Sequence, residues 1–466
     1  MAKYVIAGKA DCPFFAKAEM LADELEKILV SFKVHKIVVN PEKWQDWLQE
    51  TCEERGWKHN ASPLVWKELV DRGGKGLFIG GCDDFLEMAE AYYGVRSEKM
   101  SEELLEIAKE NLSTKQAVEA ENEAAAKVIN PLRVTITDGA SPVSYAILNS
   151  LLSGEIFGHD QDISVTLLDK TDNKDALQGI AMEVQDCAWP LLRDIFSTTE
   201  TGQAFKNSDV ILILDEACPV DETSGTTPAS AEVFKQYAEA IESDAKKSAK
   251  ILVCSQNGNI NAAVISNYAP SISKYNICAL SRLNENRAKA EVARKLNVNS
   301  SGIIDLIIWG NPGNEDYIDI SKSHVRGYDG ALWAPHIKTF SRPVMEMVHD
   351  DNWVSQELLN KANHGLILKG KNKMCPSMST GAAILDFMKD WWCTSTEYIT
   401  SLGVISEGWY GVPKDIVFSF PVLFVNGSWQ IVDDLEMSDD ALVKIKNIGE
   451  YLKRQTDEIL EKLAAS

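Results

Sequence analysis

The stretch LRVTITDGASPVSYAILNSLLSG, residues 132–154, puts three kinds of residue in an order that limits the fold. A short apolar strand signal runs into a turn of small residues, and an apolar helix pattern follows. The next apolar run, ISVTLLD at 163–169, is a second strand that closes on an acid. In a dinucleotide-binding unit the turn after the first strand needs glycine so that backbone can approach a pyrophosphate, and the acid ending the second strand holds the ribose hydroxyls. On that reading Asp169 is a candidate NAD-binding residue. Further strand signals at DVILILD (209–215), AKILVCS (249–255) and LIIWGN (306–311) alternate with helical stretches and predict a parallel sheet.

Upstream, residues 1–100 carry a separate pattern. YVIA (4–7) reads as a strand, GKADCPF as a tight loop, and Leu21, Leu25, Ile28 and Leu29 share one helical face. VHKIVV, a Trp-rich helix, SPLVW, LFIGGCDDF and a helix starting near Asp83 follow, which predicts an α/β sandwich. Residues 101–130 begin amphipathic and turn into an Ala/Glu helix former with few large apolar residues after Leu112, the composition of a helical acidic linker that bridges domains. Asn130-Pro131 ends it.

Composition fits a globular protein of several domains: 466 residues, 45% apolar and 25% charged. A formal net charge of −22 argues against nucleic acid or an anionic membrane surface as the main partner, since both reward a basic patch. No apolar run is long enough to span a bilayer and no signal-type segment opens the chain, so a cytoplasmic protein is expected. The nine cysteines show no C-x-x-C pair and no metal-type spacing with histidine, so no metal is expected, and most of them, Cys187 included, should be buried and inert. Cys12 stands apart: it precedes Pro13 at a loop-to-helix junction, where the helix dipole and Lys9 make it a candidate redox thiol.

The order K-x-x-C-P-F, then S-P before a strand, then GGCDD, resembles the glutaredoxin branch of the thioredoxin-like fold. That resemblance matches Cys12 to the nucleophilic thiol, Pro63 to the cis-proline beside it, and Gly81, Cys82 and Asp83 to the turn that holds a glutathione carboxylate on backbone N–H groups. Phe15 stands where the family can carry a second active-site cysteine, so any thiol chemistry would be of the one-cysteine kind.

MEVQDCAWPLL (182–192), SRLNENRAKAEVARKL (281–296), IIWGN (307–311) and SLGVISEGWYGVPKDIVFSFPV (401–422) resemble cytosolic-type malate dehydrogenase, and the first domain attached to such a body is similar to the 1B branch of that family. The resemblance implies a Rossmann-like NAD-binding domain at 131–285 and a C-terminal α+β dehydrogenase domain at 286–466. It also implies a histidine–aspartate pair as proton donor and three arginines that hold a dicarboxylate. Pro312 stands at the histidine position, Asn284 at the aspartate position, and Arg287 matches the third arginine. The loop expected to carry the other two reads DEACPVDETSGTTP, with no arginine or lysine between Asn207 and Phe234; its Asp215, Glu216, Asp221 and Glu222 would repel a dicarboxylate. Asp138 and Ser141 replace turn glycines, Gly139 survives in a shifted place as a weak cofactor match, and Asn259 keeps another in Gln256-Asn257-Gly258-Asn259.

Three functional readings follow. The first is a pseudoenzyme scaffold that binds protein partners, as a homodimer and, by the 1B resemblance, in an axonemal or cytoskeletal assembly of cilium or sperm flagellum. The second is a divergent NAD-dependent oxidoreductase acting on malate, oxaloacetate or another 2-hydroxy acid. The third is a glutathione-linked redox module resting on Cys12.

Overall fold

The computed structural model describes residues 2–29, 31–69, 76–97, 99–215, 228–328, 340–350, 352–360, 362, 376–393 and 395–465. The chain forms two compact units, Met1–Ala126 and Lys127–Ser466.

In the first unit the elements run β1 (Ala2–Lys9), α1 (Pro13–Ile28), β2 (Phe32–Val39), α2 (Trp44–Arg55), β3 (Leu64–Leu69), β4 (Leu77–Gly80), α3 (Cys82–Tyr93) and α4 (Ser101–Ile129). The strands order as β2-β1-β3-β4, with β1 parallel to β2 and antiparallel to β3. Alternation along β1 divides its side chains between two cores. Tyr4 and Ile6 meet α1 and α3 on one face, and Val5 and Ala7 meet Trp44, Leu48 and Trp66 on the other. The helix expected to bridge domains instead belongs to this unit at least as far as Glu119. Leu104 and Ala108 are buried, Asn111 donates to Glu19 at 2.9 Å, and Glu119 accepts from Asn40 at 3.3 Å. Two buried apolar residues one turn apart, aided by polar contacts, suffice to seat a helix whose outer face is largely charged or polar.

The second unit continues with β5 (Leu132–Ile136), α5 (Pro142–Leu152), β6 (Ile163–Leu168), α6 (Lys174–Asp186), β7 (Leu192–Thr198), α7 (Thr201–Ala204), β8 (Val210–Ile213), α8 (Pro228–Asp244), β9 (Lys250–Val253), α9 (Gly258–Tyr268), β10 (Ile277–Ala279) and α10 (Arg282–Leu296). Then come β11 (Ile303–Ile304), β12 (Ile307–Gly310), β13 (Asp316–Asp319), β14 (His324–Arg326), β15 (Ser341–Pro343), α11 (Val344–Val348), α12 (Ser377–Cys393), β16 (Thr400–Ile405), β17 (Val417–Val425), β18 (Ser428–Ile431) and α13 (Asp439–Ala465). The parallel part of the main sheet orders as β7-β6-β5-β8-β9-β10, the doubly wound arrangement whose chain reversal lies between β5 and β8.

Strand β12 departs from the expected parallel sheet: it pairs antiparallel with β13 and meets β17 antiparallel at Gly310. The cause is the short turn after it, which returns the chain as a hairpin where a parallel pairing needs a long crossover. Asn311 donates to Glu315 O at 2.8 Å and Asn314 to Asn311 O at 3.0 Å. Gly310 has φ +98°, and a Cβ there would come within 2.4 Å of Glu315 O, so the turn requires glycine. The C-terminal helix α13 packs on the body of this unit, burying Ile445, Leu452, Ile459 and Leu463 in the main core.

Cys187 is a correction: it lies exposed at the end of α6, because the helix stops there and the next residue, Ala188, takes φ +50°.

Candidate functional site

The crevice at the sheet's chain reversal is built by the turn 137–141. Asp138 takes a left-handed conformation, φ +49°, which a short acid tolerates. Gly139 donates to Leu168 O at 2.9 Å, and a Cβ on it would approach Leu177 Cδ1 at 2.8 Å and Leu167 Cβ at 3.0 Å, so this glycine serves close packing of turn, strand and helix. Ser141 caps α5, its Oγ accepting from the Ser144 N–H at 3.2 Å.

Asp169 ends β6 as expected, yet its carboxylate points into the turn itself. Oδ2 accepts from the Ala140 N–H at 2.8 Å, while Oδ1 accepts from the Lys170 N–H at 2.7 Å and from Asn173 Nδ2 at 2.8 Å. Asp215, expected on the loop as a group repelling dicarboxylates, also turns inward and accepts from Thr137 Oγ1 and, at 3.1 Å, from the Tyr237 hydroxyl. The physical reason is local: a carboxylate at the end of β8 finds two hydroxyl donors inside the crevice. Residues 216–227, with Glu216, Asp221 and Glu222, lie outside the described residues.

Three carboxylates thus converge on the turn. Burial, followed by the charges of Asp215 and Asp169, pushes the Asp138 carboxyl up to about 6, with Lys170 and Ser141 acting the other way. Burial also pushes Asp215 up, and Tyr237 is raised by burial and by Asp215 beside it. Such a turn does not fit a pyrophosphate: the amide of Ala140 is occupied, and a dianion would meet Asp138, Asp169 and Asp215 at short range.

Asp138 has a checkable effect on stability. Its folded pKa of about 6 lies above the ordinary 3.8, so the group favours folding fully below pH 3.8 and loses that contribution as pH rises through 6. Replacing it with Asn, which tolerates positive φ, removes the unfavourable charge. Asp138→Asn is expected to stabilise the protein by about 2 kcal/mol at pH 7, with the gain fading towards pH 4. Urea denaturation at both pH values reads the difference.

The second cluster surrounds the turn 311–315. Pro312 sits between Asn311, which is buried, and Gly313, whose N–H donates to Asp316 Oδ2 at 2.9 Å. Burial pushes the Asp316 carboxyl up to about 6. Asn284 lies beside Asp316 and favours its charged form against burial, and among the described residues the buried Asn311 Oδ1 has no hydrogen-bond partner. Asn314 donates to Asn257, and Asn259 donates to Gly310 O at 2.7 Å, fastening the start of α9 to the end of β12. Arg287 lies half-buried on α10, near Cys254, and among the described residues it makes no hydrogen bond or ion pair. Beside the turn is a cavity of about 530 Å³ lined by Asn257, Asn314, Glu315, Glu458 and Lys462 among others, with two carboxylates against one ammonium.

In the first unit Cys12 caps the start of α1, and its Sγ donates to Ser62 O at 3.6 Å. The Ser62–Pro63 bond is cis. The Gly81 N–H, expected to bind a ligand carboxylate, donates to Asp84 Oδ2 at 2.8 Å, so the chain supplies its own carboxylate there. Among the described residues no cluster of three His, Cys, Asp or Glu could hold a metal ion, and no helix is long and apolar enough to cross a membrane.

Comparison with known proteins gives the family. Residues 3–127 match the family model described as "Putative malate dehydrogenase 1B N-terminal domain". Residues 132–278 match "lactate/malate dehydrogenase, NAD binding domain", and residues 281–463 match "lactate/malate dehydrogenase, alpha/beta C-terminal domain". The chain is 40% identical over 466 residues to "Putative malate dehydrogenase 1B" of Branchiostoma floridae, covering 99% of this chain and 88% of that one. The chain belongs to the malate dehydrogenase 1B family. It is also 34% identical to human "Malate dehydrogenase, cytoplasmic", over 72% of this chain and 99% of that one. Among solved structures, a malate dehydrogenase from Naegleria fowleri aligns with a TM-score of 0.63 at 26% identity, covering 72% of this chain and 99% of that one. A Trichomonas vaginalis lactate dehydrogenase in complex with NADH and oxamate aligns with a TM-score of 0.63 at 25% identity, covering 72% of this chain and 100% of that one.

Within this 1B-family chain the structure brings Asn284 and Pro312 to one place, since a Cβ on Gly313 would lie 3.2 Å from Asn284 Nδ2. It places Gly139, Asp169 and Asp138 together in the other cluster. Sequence reasoning missed Tyr237, Asp316 and Asp84. Only Asp84 had a local signal, an acid three residues after Gly81 at a helix start, the spacing of a capping box.

Proposed function

We propose that this 1B-family chain is a pseudoenzyme: a dehydrogenase-shaped scaffold that works by binding other proteins. The observation that carries the reading is the crevice turn, where Asp138, Asp169 and Asp215 converge and Asp169 already holds the Ala140 amide. The second support is chemical. Pro312 has no proton to give, Asn284 cannot compensate a cationic base, and Arg287 is left without the rest of a dicarboxylate clamp. A homodimer and an axonemal or cytoskeletal setting in cilium or flagellum are parts of this proposal, the setting resting on the 1B resemblance. The test pairs NADH binding with oxaloacetate reduction by the full chain, and both are absent under this reading.

A second reading is favoured by one observation, the half-buried guanidinium of Arg287, which among the described residues has no hydrogen bond or ion pair. A divergent oxidoreductase would use it to hold the carboxylate of a 2-hydroxy acid, with Asp316 as a buried carboxyl near the lost proton donor. Dependence of any NADH oxidation on both Arg287 and Asp316 would favour it over the scaffold.

A further inference from the structure

The first unit holds a second thiol that the one-cysteine expectation leaves without a role. Strand β3 lies between β1 and β4, and both neighbours end beside its start: Ala7 pairs with Leu64, and Gly80 with Val65. Cys12 follows the end of β1 and Cys82 the end of β4, so the two emerge on either side of the Ser62–Pro63 segment. Cys12 Sγ donates to Ser62 O. Helices α1 and α3, which the two cysteines open, pack in one apolar cluster; Cys82 is buried in it and Cys12 lies against its edge. A Cβ on Gly81, the residue before Cys82, would lie 3.8 Å from Pro63 O, so the start of α3 borders the same Ser62–Pro63 segment that Cys12 touches.

We propose that Cys12 and Cys82 form a reversible intramolecular disulfide, with a small disulfide such as oxidised glutathione as oxidant. Cys12, the more accessible thiol, reacts first. Its sulfur attacks one sulfur of the oxidant, the bond between the oxidant's sulfurs breaks, and the released thiolate takes up the proton that Cys12 gave up. A mixed disulfide remains on Cys12. The Cys82 thiol then gives up its proton and attacks Cys12 Sγ, expelling the second small thiol. Two protein thiols are oxidised, and one small disulfide is reduced to two thiols. Burial, then the charges of Asp83 and Cys12, pushes the Cys82 thiol up to about 11, with Lys17 opposing, so the second step is the slower one.

The experiment treats the full chain with oxidised glutathione, quenches by alkylation at intervals and maps the products by mass spectrometry. The expected course is a glutathione adduct on Cys12 that gives way to a Cys12–Cys82 cross-link, reversed by dithiothreitol. In Cys82→Ser the adduct on Cys12 should accumulate and persist; in Cys12→Ser no adduct should form on Cys82. The exposed Cys187 and Cys393 report general reactivity. An adduct as persistent in the unmodified chain as in Cys82→Ser would overturn the proposal, as would labelling of Cys187 and Cys393 with none at Cys12. The cross-link in the unmodified chain decides the matter even if a variant fails to fold.

Discussion

Supplied with NADH and oxaloacetate, the full chain is expected to turn over at least about 10⁴-fold more slowly than the cytoplasmic malate dehydrogenases it resembles. A positioned general acid contributes about 10²–10⁴-fold, and Pro312 cannot supply one. Asn284 carries no charge to set against an imidazolium. The cavity beside the turn adds Glu315 and Glu458 against Lys462, which works against holding a dianionic substrate. Restoring the proton donor alone should therefore not restore the reaction. Pro312→His combined with Asn284→Asp is expected to stay at least about 10²-fold below an active relative, because the turn at Asp138 still opposes the cofactor. NADH absorbance reads both results. Turnover of the unmodified chain within about tenfold of an active dehydrogenase would contradict the argument.

The largest expected loss of stability lies at Glu285, near the lost aspartate position but serving the fold. Glu285 is fully buried; it accepts from Lys289 at 2.6 Å, the Thr400 hydroxyl at 3.1 Å and the Ser401 N–H at 2.8 Å, with Arg282 at 4.0 Å. Arg282 is tied in turn to Asp390 at 2.6 Å. Glu285→Ala strands the Ser401 amide and leaves the largely buried Lys289 ammonium without its carboxylate. A loss of about 3–5 kcal/mol is expected, read as a lower urea midpoint by circular dichroism. Glu285→Gln, which keeps an acceptor oxygen, should lose less. Burial alone would push this carboxyl up, but Lys289 and Arg282 override it and hold it below its ordinary 4.5. A lowered folded pKa means that the contribution is present above pH 4.5 and is lost as pH falls through the folded value. The difference between Glu285→Ala and the unmodified chain should narrow in acid.

What the sequence made legible follows from periodicity. The alternation of β5, α5 and β6 and the apolar β8 and β9 could be read from residue spacing, since each depends on neighbours within one element. Strand β12 was legible as a strand but not in direction, which the Asn311 to Glu315 turn decides through backbone hydrogen bonds. The 101–130 helix was legible as a helix, whereas its seat needed Glu19 and Asn40, far away in sequence. The candidate site shows the same division. Asp169 could be placed at the end of its strand, and Pro312 and Asn284 could be matched to family positions. That Asp169 would bind the Ala140 amide, and that Asp215 would turn towards Thr137 and Tyr237, depend on donors brought in by the fold. Pattern assigns a carboxylate to a position; its partner decides whether it remains available to a ligand.

The scaffold reading requires that the chain's own carboxylates close the dinucleotide crevice. Calorimetric titration of the full chain with NADH at pH 7, alongside thermal unfolding with and without the cofactor, tests it most directly. No saturable heat and no change in Tm are expected at millimolar NADH. Saturable binding with stabilisation of about 2.7 kcal/mol at a hundredfold excess over Kd would contradict it.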